Sequence, residues 1–101
     1  MNLAPFVGAD RYAHLERALI LESGEIDKVR GDARTKGWRP GPEKTENIAP
    51  DETVLNRFVG ALTFLYQRGE VNESEWRTKV YKITMYLAWL HDLQGHCLHR
   101  Q

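Results

Sequence analysis

Apolar residues between Thr53 and Gln94 recur at intervals of three and four residues, which is the pattern of amphipathic helices. The first half of this stretch carries one broad apolar face, made of Val54, Leu55, Phe58, Val59, Ala61, Leu62, Leu65 and Tyr66. The second half carries an apolar seam made of Trp76, Val80, Ile83, Leu87 and Leu90. A second seam, on nearly the opposite side, consists of Tyr81, Met85, Ala88 and Trp89. The pattern therefore predicts two helices, over about 51–68 and 73–94.

The segment between these helices has the stop and start signals of an antiparallel hairpin. Gly69 stands where the first helix should end, because glycine enters the left-handed conformation without a Cβ clash. Asn72 is a candidate N-cap for the next helix, and Glu75 follows it by three residues, as in a capping box. Val71 and Trp76 are spaced for a hydrophobic staple across this turn.

The remainder of the chain completes a small all-α domain of three or four helices. Asp10 is a plausible N-cap for an N-terminal helix over about 10–23, closed by Gly24, with inward-facing residues that include Tyr12, Leu15, Leu19 and Ile20. A short helical segment or turn follows at Glu25 to Val29. Glycine and proline then predict a long irregular loop over about 30–50, and residues 95–101 are expected to form a tail.

Length and composition restrict the class of protein. A chain of 101 residues that is 42% hydrophobic suits a single domain, 1–101, with a modest core. The 14 basic residues balance the 14 acidic ones, so the chain lacks the overall basic field of a dedicated nucleic-acid binder. A lone Cys97 excludes an internal disulfide framework, and no signal peptide is recognisable, so we expect a cytoplasmic protein without a membrane span.

The second apolar seam of the long C-terminal helix must be buried against another helix or another subunit. One seam can pack on the preceding helix, but few elements are left for Tyr81, Met85, Ala88 and Trp89. Either the N-terminal helix covers these residues or a second subunit does. We expect a homodimer with these four residues at its interface.

A basic segment is the main candidate for a partner-binding loop. Its residues are Arg30, Arg34, Lys36, Trp38 and Arg39. Together with Lys28 they could hold an acidic protein surface, or a nucleic-acid backbone while Trp38 stacks on a base. The other interpretation is a solvated loop whose Trp38 folds back onto the core.

Four potential zinc ligands lie close together near the carboxyl end: His91, His96, Cys97 and His99. Their spacing matches no established zinc module, so they are only weak metal candidates.

No nucleophile, base and orienting group, and no carboxylate pair, can be assigned to a cleft from the sequence. We therefore expect a non-enzymatic protein that needs no cofactor. It would act by protein–protein binding, as an adaptor, regulatory subunit or inhibitor. A nucleic-acid-binding module that uses Lys28 to Arg39 is the alternative.

Overall fold

A computed structural model describes residues 9–42 and 48–99, with side chains for residues 11–42 and 48–92. It contains four helices: α1 (Ala9–Leu19), α2 (Glu25–Thr35), α3 (Pro50–Gln67) and α4 (Glu73–His99). Helix α3 packs against α2 and α4, and α1 also packs against α2 and α4. The described residues form no strand, and the predicted all-α class is confirmed.

The main core lies where the four helices meet. Its buried residues are Leu15, Leu19, Ile26, Leu55, Phe58 and Ile83. A smaller cluster of Ala33, Ala61 and Leu65 lies between α2 and α3. Because Phe58 and Ile83 are completely buried, each contributes about 1.5 to 3 kcal/mol through removal of its side chain from water.

The hairpin between α3 and α4 is confirmed, together with two of the local signals that predicted it, the glycine turn and the asparagine cap. Gly69 has a φ of 81°, and its N–H donates to Tyr66 O at 3.0 Å. The N–H of Glu70 donates to Leu65 O at 2.9 Å, which completes a Schellman motif at the end of α3. Asn72 Oδ1 accepts a hydrogen bond from the N–H of Glu75 at 2.8 Å, so Asn72 is the N-cap of α4.

Trp76 holds the first turn of α4 against α3. Its ring stacks on Tyr66 with a centroid distance of 4.5 Å, and its Nε1–H donates to Thr63 Oγ1 at 2.9 Å. Val71 packs separately, against the small cluster between α2 and α3. The angle between α3 and α4 therefore depends on the contacts of Trp76 with Tyr66 and Thr63. The staple between Val71 and Trp76 stays a prediction.

The N-terminal helix ends earlier than the predicted boundary near residue 23. Helix α1 stops at Leu19, because Ile20 adopts a left-handed conformation with a φ of 56°. The N–H of Leu21 then donates to Glu16 O at 2.8 Å, and Leu21 packs against the main core. The expectation that Ile20 faces inward is also wrong, because its side chain is 79% exposed.

The predicted irregular loop over about 30–50 is wrong at its amino-terminal side. Helix α2 continues to Thr35, because Ile26, Val29 and Ala33 recur on one face that packs against the core. Gly31 lies inside this helix, and Gly37, with a φ of 107°, closes it. Regular structure is absent from residues 36–42 and 48–49, and the intervening residues 43–47 lie outside the described part of the chain.

The predicted tail over 95–101 is also corrected, since α4 runs through Gly95 to His99. A single glycine inside a helix costs about 1 kcal/mol relative to alanine, which does not by itself end the helix. Residues 100–101 lie outside the described part.

Charged side chains fix the start of α2. The Oε2 of Glu16 accepts from the N–H of Ile26 at 3.3 Å, so a carboxylate on α1 caps the amino end of α2. Glu25 is nearly buried and accepts from the N–H of Glu22 at 3.0 Å. Lys79 on α4 forms an ion pair with Glu25 and another with Glu75. These contacts tie three helices together at one corner.

Burial lowers the pKa of Lys79, but hydrogen bonds to Glu25 and Glu75 outweigh that effect and raise the pKa above its ordinary value of 10.5. A pKa that is higher in the folded chain than in the unfolded chain stabilises the fold at every pH below about 10.5. The stabilisation is lost as the pH rises further, through the raised value.

We predict that Gly31→Ala and Gly37→Ala change stability in opposite directions. Position 31 is helical with open space around it, so alanine should raise the free energy of unfolding by about 0.8 kcal/mol. Position 37 has a left-handed φ, so alanine there should lower it by about 1 kcal/mol. Urea denaturation measures both values. A destabilising Gly31→Ala would contradict the assignment of residues 30–35 to a helix.

We predict that Lys79→Met lowers the free energy of unfolding at pH 7 by about 2 kcal/mol, because it leaves the Glu25 carboxylate buried without its cation. A second change, Glu25→Gln, should restore most of the loss, since an amide oxygen still accepts from Glu22 without a charge. Denaturation of both variants beside the wild type tests this. Equal stability of Lys79→Met and wild type would show that the pair contributes nothing.

Candidate functional site

The most prominent surface feature is a group of large apolar side chains that remain in water. Tyr81, Met85 and Trp89 are 63%, 53% and 56% exposed, and they recur every fourth residue along one face of α4. Ile20 is exposed beside them. A shallow groove between α1 and α4 is lined by all four residues, together with Leu19, Lys82 and Tyr86. We call Ile20, Tyr81, Met85 and Trp89 the apolar surface.

The two-sided pattern of α4 explains this exposure. Ile83 is completely buried, and Tyr86 and Leu87 pack partly against the same core, so one side of the helix faces α3 and α1. The opposite side carries Tyr81, Met85 and Trp89, and α1 packs beside it without covering it. The structure therefore leaves the second seam, including Ala88, on the outside of the chain.

Ile20 joins this surface at an energetic cost. Its φ of 56° lies in the left-handed region, where a β-branched side chain is an outlier. Such a residue costs about 1 to 2 kcal/mol, and an exposed side chain recovers little of this by burial. Strained residues of this kind concentrate at functional sites. Position 20 is an isoleucine and not a glycine or asparagine, the residues that usually indicate a left-handed conformation. The sequence therefore did not predict this conformation.

Tyr86 supports the aromatic part of the surface from beneath. Its ring lies 5.8 Å from that of Trp89, with a tilt of 46° between the planes. Burial, and to a smaller extent the charge of Asp51, raises the pKa of the Tyr86 phenol above its ordinary value of 10.0. Tyr86 is therefore a neutral, partly buried side chain that packs beside the exposed ring of Trp89.

The basic residues predicted to bind a partner do not form one unpaired patch. Arg30 and Arg34 lie on α2, and the Nε of Arg30 is buried without a hydrogen-bond partner among the described residues. Lys36 Nζ lies 3.5 Å from Glu70 Oε2. Arg39 Nη1 donates to the carbonyl oxygen of Trp38 at 3.0 Å.

Trp38 is partly buried and packs against the cluster of Ala33, Ala61 and Leu65. Its indole also covers Gly60 on α3, where an added Cβ would lie 3.5 Å from Trp38 Cζ2. This is the arrangement in which the tryptophan folds back onto the core, and it leaves less of the ring to stack on a base.

The weak metal candidates are only partly described. His91 Nε2 lies 2.9 Å from Glu52 Oε1 on α3, so this histidine has a carboxylate partner. His96, Cys97 and His99 lie on α4, but their side chains fall outside the described part. Among the side chains that are described, no three histidine, cysteine or acidic residues are placed to share an ion.

These features define a small all-α domain with an exposed apolar helix face. Models of known protein families, curated proteins and solved structures give no match to this chain. Within the described residues, no helix has the length and apolar character needed to span a bilayer.

We predict that Ile20→Gly raises the free energy of unfolding by about 1 kcal/mol, because glycine adopts the left-handed conformation without strain. Ile20→Ala is the matched control, since it removes the exposed side chain but keeps the Cβ that causes the strain. Thermal and urea denaturation of the two variants and the wild type make the comparison. If alanine were as stabilising as glycine, strain at this position would not be the cause.

Proposed function

We propose that this protein acts by protein–protein binding through the apolar surface, as an adaptor, regulatory subunit or inhibitor rather than as an enzyme. The observation that carries the proposal is the joint exposure of Ile20, Tyr81, Met85 and Trp89 around one groove. Contiguous exposed apolar residues mark interaction sites, because water around them is released when a partner covers them. Trp and Tyr are also the residue types that dominate binding energy at protein interfaces.

The strained Ile20 gives this proposal independent support. A surface selected only for stability would carry glycine or asparagine at a left-handed position. The isoleucine instead adds apolar area at the rim of the groove, at a cost to the fold. Such an exchange of stability for exposed apolar area is typical of a binding site.

Nucleic-acid binding through the basic segment is the weaker proposal. Lys36 is paired with Glu70, and Trp38 packs against Gly60. Two residues of the basic segment that could contact a nucleic acid therefore already have partners within the chain. Arg34 and Arg39 remain exposed. A nucleic-acid complex that uses them would weaken steeply as salt is added, because phosphate binding releases counterions.

Two multiple variants separate the proposals. Tyr81→Gln with Trp89→Gln makes the apolar surface polar, while Arg34→Glu with Lys36→Glu and Arg39→Glu reverses the charge of the basic segment. All five altered residues are exposed, so both variants should keep the helical circular dichroism and melt within a few degrees of the wild type. This folding control precedes the binding assay.

We expect immobilised wild type to retain specific proteins from a native lysate, identified by mass spectrometry. The first variant should lose them, and the charge-reversed variant should retain them. Labelled RNA and DNA, titrated at two salt concentrations, provide the parallel assay. Loss of partners only in the charge-reversed variant, or a salt-sensitive shift abolished in it alone, would overturn the proposal in favour of the basic segment.

A further inference from the structure

Along α4, four exposed residues form a stripe with a distinctive order of chemistry. Lys82, Met85, Trp89 and Asp92 follow one another at intervals of three, four and three residues, which keeps them on one face. A positive charge stands at one end of this stripe and a negative charge at the other. The two central residues belong to the apolar surface.

The stripe is complementary to the same stripe on a second copy of α4 that runs in the opposite direction. Lys82 and Asp92 each lie five residues from Leu87, and Met85 and Trp89 each lie two residues from it. If two copies of α4 run antiparallel with their centres at Leu87, lysine meets aspartate at both ends. In the middle, methionine meets tryptophan twice. A twofold axis produces all four contacts at once, because the same patch is used on both copies.

We propose that the occupant of the apolar surface is a second copy of this chain, with the two α4 helices antiparallel about a twofold axis that crosses the exposed stripe at the level of residue 87. In the dimer, Lys82 of each copy pairs with Asp92 of the other, and Met85 packs against Trp89. This inference rests on the proposed function, since it names the partner of the same surface.

The unused charges of the stripe support the assignment. Among the described residues, neither Lys82 nor Asp92 forms an ion pair within its own chain. Both side chains are exposed and available to a partner. Unpaired opposite charges that flank an apolar centre fix the register and orientation of an interface.

The centre of the stripe suits close packing. Ala88 is exposed at the edge of the stripe, beside Met85, and its small side chain lets two helices approach closely. The thioether of methionine makes favourable contacts with aromatic rings. Tyr81 and Ile20 border the stripe and extend the apolar area that the second copy covers. An unrelated partner could also cover apolar residues, but the reversed order of charges favours a copy of the same helix.

A charge exchange tests the proposal. Lys82→Asp places aspartate opposite Asp92 at both ends of the dimer, and Asp92→Lys places lysine opposite Lys82. Each single variant should associate at least about tenfold more weakly than the wild type, measured by sedimentation equilibrium at low salt. Mixed in equal amounts, the two variants bring opposite charges together again. The mixture, and the double variant with both changes, should associate within about threefold of the wild type.

Lys28→Asp, the same charge change at an exposed position on α2, is the matched control and should leave association unchanged. Circular dichroism verifies the fold of every variant. A wild type that is monomeric at high micromolar concentration, or a mixture that fails to reassociate, would overturn the dimer. Capture of lysate proteins that is lost in the Tyr81→Gln, Trp89→Gln variant, beside a monomeric wild type, would overturn only this inference and leave the proposed function standing.

Discussion

The packing of the other helices depends on α4, a 27-residue helix with apolar side chains on two faces. Three shorter helices are available to cover it, and they meet on the side of Ile83, where Phe58 and Leu15 complete the core. Once that side is buried, no described element remains for the opposite side. The exposed Tyr81, Met85 and Trp89 are therefore a consequence of how much apolar surface the chain carries and how few helices it has to bury it.

The position of α2 determines what the basic segment can do. Its amino end is capped by Glu16 and tied to α4 through Glu25 and Lys79, which fixes the helix against the core. At its carboxyl end, Gly37 turns the chain so that Trp38 reaches Gly60. The tryptophan is thus used largely in packing. A segment whose composition is typical of an open binding loop is a helix as far as Thr35, and Lys36 and Arg39 lie beyond its end.

The end of α1 links the fold to its candidate binding surface. Leu21 must reach the core so that α2 can begin, and the turn that allows this forces Ile20 into a left-handed conformation. The isoleucine side chain then lies at the rim of the groove beside α4. Local strain and exposed apolar area therefore occur at the same place, at the rim of the groove.

The sequence alone determined the helical hairpin, because its signals are local. Gly69 permits the left-handed turn and Asn72 caps the next helix, whatever surrounds them. The two seams of α4 were also predictable, since they follow from helical periodicity. The same periodicity indicated the all-α class, but the glycines and prolines after residue 30 concealed α2.

Only the tertiary structure decided which seam of α4 is buried, how far α2 extends and where α1 ends. Each of these outcomes depends on contacts between residues distant in sequence, such as Glu25 with Lys79 and Trp38 with Gly60. The conformation of Ile20 belongs to the same group, because no local propensity favours isoleucine at a positive φ. Packing of Leu21 into the core outweighs the local preference of isoleucine for a negative φ. Because that packing involves residues distant in sequence, the conformation of Ile20 cannot be predicted from its neighbours in the chain.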